Sequence, residues 1–158
     1  GESKFIMAKL QDPWEIIRAR AEPKSKFDLE QVIDLYDACV RNFDDEVARI
    51  LAYLDTSGLA DNTIVVIFSD HGFEFFEQRT WGQGSSAVGD FSASVPLIIA
   101  DPRLPAAQTV ADAVRTVDVA STLLVLVGLD VPEYTEGASL APLMRGSAIE
   151  QQRPAFLA

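Results

Sequence analysis

The sequence predicts an α/β fold, on three observations. A long amphipathic helical pattern runs from Asp28 to a stop at Gly58. A turn at Asp61-Asn62 follows, and then the unbroken apolar, β-branched run Thr63 to Phe68, TIVVIF. A second run of the same kind, VPLIIA, occupies Val95 to Ala100. Helix, turn and buried strand in that order make half of an α/β unit, and continuously apolar strands predict a parallel sheet covered on both faces.

The elements follow in chain order. Lys4 to Leu10 reads as a short strand, ended by the turn-like Gln11-Asp12-Pro13, and residues 18–27, charged and containing Pro23, read as a surface loop. Asp28 is a good N-cap, with Gln31 three residues on as in a capping box. Leu29, Val32, Tyr36, Val40, Phe43, Val47, Ile50 and Leu54 recur at steps of three and four, so they share one face. Cys39, inside this pattern, is expected to pack. Residues 72–94 have no clean period and read as a long loop of functional type. Residues 103–112 read as a polar loop, a helix is expected from about Asp118 to a stop at Gly128, and Leu140 to Met144 as a last short turn. No repeat or internal boundary interrupts the chain, so residues 1–158 are read as one domain.

Composition narrows the classes of partner. Apolar residues make up 48 %, enough for a sizeable core, and the net charge is −11. That charge argues against nucleic acid, which needs a basic footprint, and against unaided docking on anionic lipid. No run of about eighteen apolar residues is present, so no membrane segment is expected. The single cysteine permits no internal disulfide, and the sequence assigns neither an extracytoplasmic nor a cytoplasmic compartment and no oligomeric state.

Ser69-Asp70-His71-Gly72 falls at the carboxyl end of the clearest strand, where open α/β sheets bind their ligands. Asp70 offers a hard oxygen donor and His71 a borderline nitrogen, which suits a divalent cation. His71 is the only histidine. Gly72 is read as allowing a sharp turn beside a ligand. Two residues do not close a coordination shell, so further ligands are required; Glu74, Glu77 and Asp90 are the candidates in this chain. Glu74 and Glu77, read on a loop, are otherwise solvated. Arg79 and Arg103 are candidates for positive charge near an anion, with solvation as the alternative.

The stretch TIVVIFSDHG resembles the signature of the sulfatase family in the alkaline phosphatase superfamily, where a buried strand ends in Ser-Asp-His/Asn-Gly. The resemblance continues in order through Tyr36–Leu54, Gly58-Leu59-Ala60-Asp61-Asn62-Thr63, Gly72-Phe73-Glu74-Phe75 with Trp81-Gly82, Val95-Pro96-Leu97-Ile98-Ile99, and Val117-Asp118-Val119 with Thr122-Leu123-Leu124 and Gly128. It closes on Gly137, Ser139-Leu140 and Pro142-Leu143, leaving 146–158 as a tail outside it.

The resemblance implies the C-terminal part of a catalytic domain: a partial alkaline-phosphatase-like sandwich, its largely parallel sheet flanked by helices and completed by an N-terminal segment. It implies hydrolysis of sulfate esters, assisted by a divalent metal, calcium first and manganese or zinc as alternatives. Asp70 and His71 would be metal ligands, joined by two aspartates and a nucleophile upstream of residue 1. The substrate would be an anionic sulfate or phosphate ester. Two rivals remain: a phosphoester or phosphonate hydrolase or phospho-headgroup transferase on the same fold, and a non-catalytic pseudo-sulfatase binding module.

The chain departs from the family pattern in three places. The nucleophile motif, Cys or Ser followed by x-Pro-x-Arg, is absent, since Cys39 precedes Val40-Arg41-Asn42. Trp14 stands after Asp12-Pro13 where family members place a histidine. Gln83, in Trp81-Gly82-Gln83-Gly84, stands where histidine or lysine is common. Trp14, Trp81 and Gln83 are therefore the substrate-pocket candidates. Gln83 donates only a neutral hydrogen bond, and each lost cationic donor would lower the rate on the order of 10²–10³-fold.

Overall fold

A computed structural model describes residues 24–26, 28–77, 79, 81–83, 90–104 and 108–147, with the side chains of Lys26, Trp81 and Gln83 excepted. The expected strand Lys4–Leu10, the Gln11-Asp12-Pro13-Trp14 segment and most of the tail lie outside the described residues. The described residues fall into two compact units. One comprises residues up to 59 together with 71–95, and the other comprises 60–70 and the residues from 96 onward.

The first unit is built on helix α1, Leu29–Ser57. Its ends are those the sequence predicts. The Asp28 carboxylate accepts from the Gln31 amide at 3.2 Å, and Gly58 leaves the helix at φ 72°, with the Leu59 amide donating back to Leu54 at 3.0 Å. A hairpin follows, with β2 at Phe73–Phe75 and β3 at Trp81–Gln83 in antiparallel register, Phe73 opposite Gln83 and Phe75 opposite Trp81. Then comes a helical turn, α2, at Asp90–Ala93. The long loop expected over 72–94 thus holds three short elements. Runs of three or four residues are too brief to print a period on the sequence.

Strand periodicity organises this unit. Phe73 and Phe75 share one face of β2 and pack with Phe76 against Val32 of α1. Their rings lie 4.8 Å apart, and the Tyr36 ring meets Phe75 edge-on at 5.1 Å. Glu74, between them, faces the other way. Farther along the stripe, Val47 and Leu54 are half-buried. Val40, Phe43 and Ile50 are exposed, at 50, 57 and 58 %, and Cys39 is exposed rather than packed. A helix of this length runs for about 43 Å, whereas a three-residue strand spans roughly 10 Å. The hairpin therefore covers only the first turns.

In the second unit, β1 (Val65–Phe68) pairs with β4 (Leu97–Ala100). The pairing is antiparallel, from Val65 opposite Ala100 to Phe68 opposite Leu97. The largely parallel sheet expected from the resemblance thus includes an antiparallel pair here. An unbroken apolar run carries no mark of strand direction, and Phe68 and Ile98 are about half exposed, so this pair is not covered on both faces. Helix α3, Asp118–Leu126, and helix α4, Ala141–Met144, agree with the sequence reading, and Gly128 ends α3 at φ 76°. Val119, Leu126, Leu140, Ala141 and Leu143 are buried.

Side chains lock this unit together. Arg103 grips Asp101 through Nε at 2.8 Å and Nη2 at 2.7 Å, and donates to the Leu126 carbonyl at 2.8 Å. The cation thus sits on the C-terminal turn of α3, where the helix dipole favours it. At the other end of α3, the Asp118 carboxylate accepts from Arg115 and from the Ala138 amide. Ser121 Oγ donates to the Gly137 carbonyl at 2.8 Å, and Thr122 Oγ1 accepts from the Leu140 amide at 2.8 Å.

Candidate functional site

The candidate segment begins where β1 ends. Ser69 follows Phe68, Asp70 is exposed, and His71 is half-buried. Asp70 is the last residue of its stretch of the second unit, and His71 opens its stretch of the first. Each donor type suits a divalent cation, a carboxylate oxygen in one unit and an imidazole nitrogen in the other. The imidazole is fixed in a useful form. Its Nδ1 lies 2.9 Å from the Gly72 carbonyl oxygen. A carbonyl only accepts, so in the neutral ring Nδ1 carries the proton and the lone pair is on Nε2, as in histidines that ligate metals. The residues fit the group in kind but supply two donors only. No set of three or more His, Cys, Asp or Glu side chains among the described residues is arranged to hold a metal.

Gly72 is required for a reason the sequence reading did not give. Its φ is not in the left-handed region. A Cβ there would lie 2.0 Å from the Phe91 carbonyl oxygen and 3.1 Å from Ser92 Cα. The close neighbour is the chain's own α2 backbone, and the Gly72 amide donates to the Ser92 carbonyl at 2.8 Å.

The other acidic candidates have local roles. Glu74 lies on β2 rather than on a solvated loop, is fully buried, and accepts from Ser92 Oγ at 2.9 Å. Glu77 is exposed, and its carboxylate accepts from the Phe75 amide. Asp90 is exposed in the first turn of α2. Arg103 is engaged by Asp101, whereas Arg79 is exposed in the hairpin loop at φ 67°.

The hairpin brings some of the substrate-pocket candidates near His71. Gln83 pairs with Phe73, two residues beyond His71, and Trp81 pairs with Phe75. Trp14 lies outside the described residues. Sequence reasoning missed Ser92, because nothing local marks a serine in a four-residue helix as the partner of Gly72 and Glu74. It also left the polar clasp of Arg115 and Asp118 unread. An arginine three residues before a helix-opening aspartate was the available signal.

Two carboxylates are held down electrostatically. Hydrogen bonding from Arg103 lowers the Asp101 pKa despite burial, helped by its backbone amide and by the charges of Arg103 and Arg145. For Asp118, burial pushes the carboxyl up. Hydrogen bonds from Arg115 and Ala138, with the Arg115 charge, outweigh it and leave the pKa below the ordinary value.

Comparison with known proteins identifies the family. A family model described as Sulfatase matches residues 6–129. A protein named Sulfatase from Formosa agariphila is 34 % identical over 73 % of this chain, which corresponds to 22 % of that protein. An N-acetylglucosamine-6-O-sulfatase from Bacteroides thetaiotaomicron is 33 % identical over 89 % of this chain and 27 % of its own length. The solved phosphonate monoester hydrolase of Agrobacterium radiobacter superposes with a TM-score of 0.75 at 26 % identity, covering 92 % of this chain and 32 % of that one. The chain thus spans about a quarter of the length of the curated relatives it matches.

Proposed function

The chain belongs to the sulfatase family of the alkaline phosphatase superfamily, a family of hydrolases, and on that premise we propose that the whole protein hydrolyses sulfuric esters. The observation that carries this reading is Ser69-Asp70-His71-Gly72 at the end of β1, inside the matched residues.

Asp70 and His71 are the proposed ligands of a divalent cation, calcium first and manganese or zinc as alternatives. When bound, such a cation supplies Lewis-acid polarisation of an ester oxygen. Asp70 brings the charged oxygen. His71 brings the Nε2 lone pair, kept there by the bond from Nδ1 to Gly72. Gln83 and Trp81 on β3, with Trp14, are the proposed substrate contacts, and the Gln83 amide would donate a neutral hydrogen bond to the ester. The nucleophile and two further acidic ligands are assigned to sequence outside this chain, so the 158-residue chain alone is expected to be inactive.

Metal content and aryl-sulfate turnover of the full-length protein, compared with Asp70→Ala and His71→Ala, test the assignment. Loss of both in each variant is expected. Unchanged metal content in both variants overturns it, as does turnover by the purified 158-residue chain alone.

The phosphonate monoester hydrolase likeness supports a second reading, in which the ester is a phosphonate or phosphate. The ratio of kcat/KM for an aryl sulfate to that for an aryl phosphonate monoester decides between them. A full-length protein that binds no metal and keeps its biological activity as Asp70→Ala is instead a non-catalytic module.

A further inference from the structure

Ser92 joins His71's neighbours from two directions. Its carbonyl accepts the Gly72 amide at 2.8 Å, and its hydroxyl donates to Glu74 Oε1 at 2.9 Å. Ser92 and Glu74 are both buried. Phe73, between the two tethered residues, is held in register opposite Gln83. The backbone over 72–74 is therefore gripped at successive residues, and the approach is possible only because Gly72 has no Cβ to meet Phe91. The same Gly72 carries the carbonyl that accepts from His71 Nδ1.

From this chain of contacts we infer that Ser92, seated on Glu74, is a positioning residue that fixes the tautomer and ring orientation of His71. With Ser92 holding the Gly72 amide and the Glu74 side chain, and Phe73 held in the hairpin register, the 72–74 backbone keeps the Gly72 carbonyl aimed at Nδ1. Without the hydroxyl, the Glu74 carboxylate loses the Ser92 donor, and α2 loses one of its holds on the 72–74 segment. The hold of the Gly72 carbonyl on Nδ1 is then loosened, and the share of the other tautomer rises. The inference rests on the metal-ligand reading of His71 for its use, although the orientation itself is a property of this unit alone.

His71 is the only histidine, so its ring nitrogens can be observed without assignment ambiguity after labelling histidine with nitrogen-15. Nitrogen shifts recorded where the ring is neutral are expected to show Nδ1 protonated in the unaltered chain and in Ser92→Thr. Ser92→Ala and Glu74→Met, which has no oxygen for the Ser92 hydroxyl, are expected to show a mixture, with circular dichroism confirming that each variant is folded. In the full-length protein, Ser92→Ala is expected to weaken calcium binding about 10- to 100-fold, as loss of a group that orients a ligand does. An unchanged tautomer in folded Ser92→Ala and Glu74→Met overturns the inference. A shifted tautomer in a full-length protein that binds no metal upholds the positioning role and overturns the metal reading instead. If Ser92→Ala does not fold, Glu74→Met and Ser92→Thr decide the question through the same signal.

Discussion

The Asp118 carboxylate, at the first residue of α3, accepts the amide of Ala138 at 2.8 Å, twenty residues along the chain. It also takes the Arg115 guanidinium at 2.7 Å and the Arg115 amide at 3.1 Å. Side-chain exposures of 18 % for Arg115 and 7 % for Asp118 mark this as a largely buried pair. No side chain caps α3 from Val117. Asp118, at the first helical position, instead accepts the Arg115 amide just ahead of the helix and the Ala138 amide.

Removing the carboxylate takes away the short ion pair with Arg115 and the acceptor of the Ala138 amide. Asp118→Ala is expected to cost about 3 kcal/mol, the lower end for breaking a buried pair. Urea titration checks this. Asp118→Asn, which keeps one oxygen for Ala138, should cost less. A change below about 0.5 kcal/mol, the range of ordinary surface substitutions, would show that the clasp is not structural.

The same carboxylates set an acid limit. Asp118 and Asp101 both have pKa values below the ordinary value in the folded state. The unfolded chain therefore binds protons first as the pH falls. Their stabilisation is complete above the ordinary carboxylate range, near pH 4, and is lost as the pH drops through the lowered folded-state values. The midpoint of urea unfolding is expected to stay level from neutral pH to about 5 and to fall below about 4. Asp118→Asn should flatten that fall, and an equal slope in both proteins would assign it elsewhere.

Glycines separate two physical causes. A Cβ at Gly72 would meet the Phe91 carbonyl oxygen at 2.0 Å, and one at Gly137 would meet the Val117 carbonyl oxygen at 2.1 Å. Gly58, at φ 72°, has nothing within 4 Å. Alanine at 72 or 137 is expected to cost about 3 kcal/mol, the upper end for overpacking, because backbone cannot step aside. Alanine at 58 is expected to cost about 1 kcal/mol, from backbone strain alone. Chemical denaturation of the three variants checks the order, and a Gly58 variant hurt as badly as the other two would contradict it.

Arg103 bridges Asp101, at the end of β4, to the C-terminal carbonyl of α3 at Leu126. Arg103→Lys keeps the charge but gives up the forked grip. It is expected to lower thermal stability while leaving metal binding by the full-length protein unchanged. Weakened metal binding would mean that Arg103 also serves the site.

The sequence by itself determined what local chemistry can encode. Asp28 and Gly58 set the ends of α1, Gly128 ends α3, and the apolar runs marked β1 and β4. The Asp70-His71-Gly72 segment was legible for the same reason, being contiguous and placed at a strand end. Only the tertiary structure decided which partners those elements found. It set β1 antiparallel to β4, turned Glu74 inward onto Ser92, and gave Gly72 its close neighbour in α2. It also left Val40, Phe43 and Ile50 exposed on a stripe whose period says only that they share a face. Periodicity records which residues share a face and caps record where an element stops, but strand direction, and what meets a face, depend on residues far along the chain.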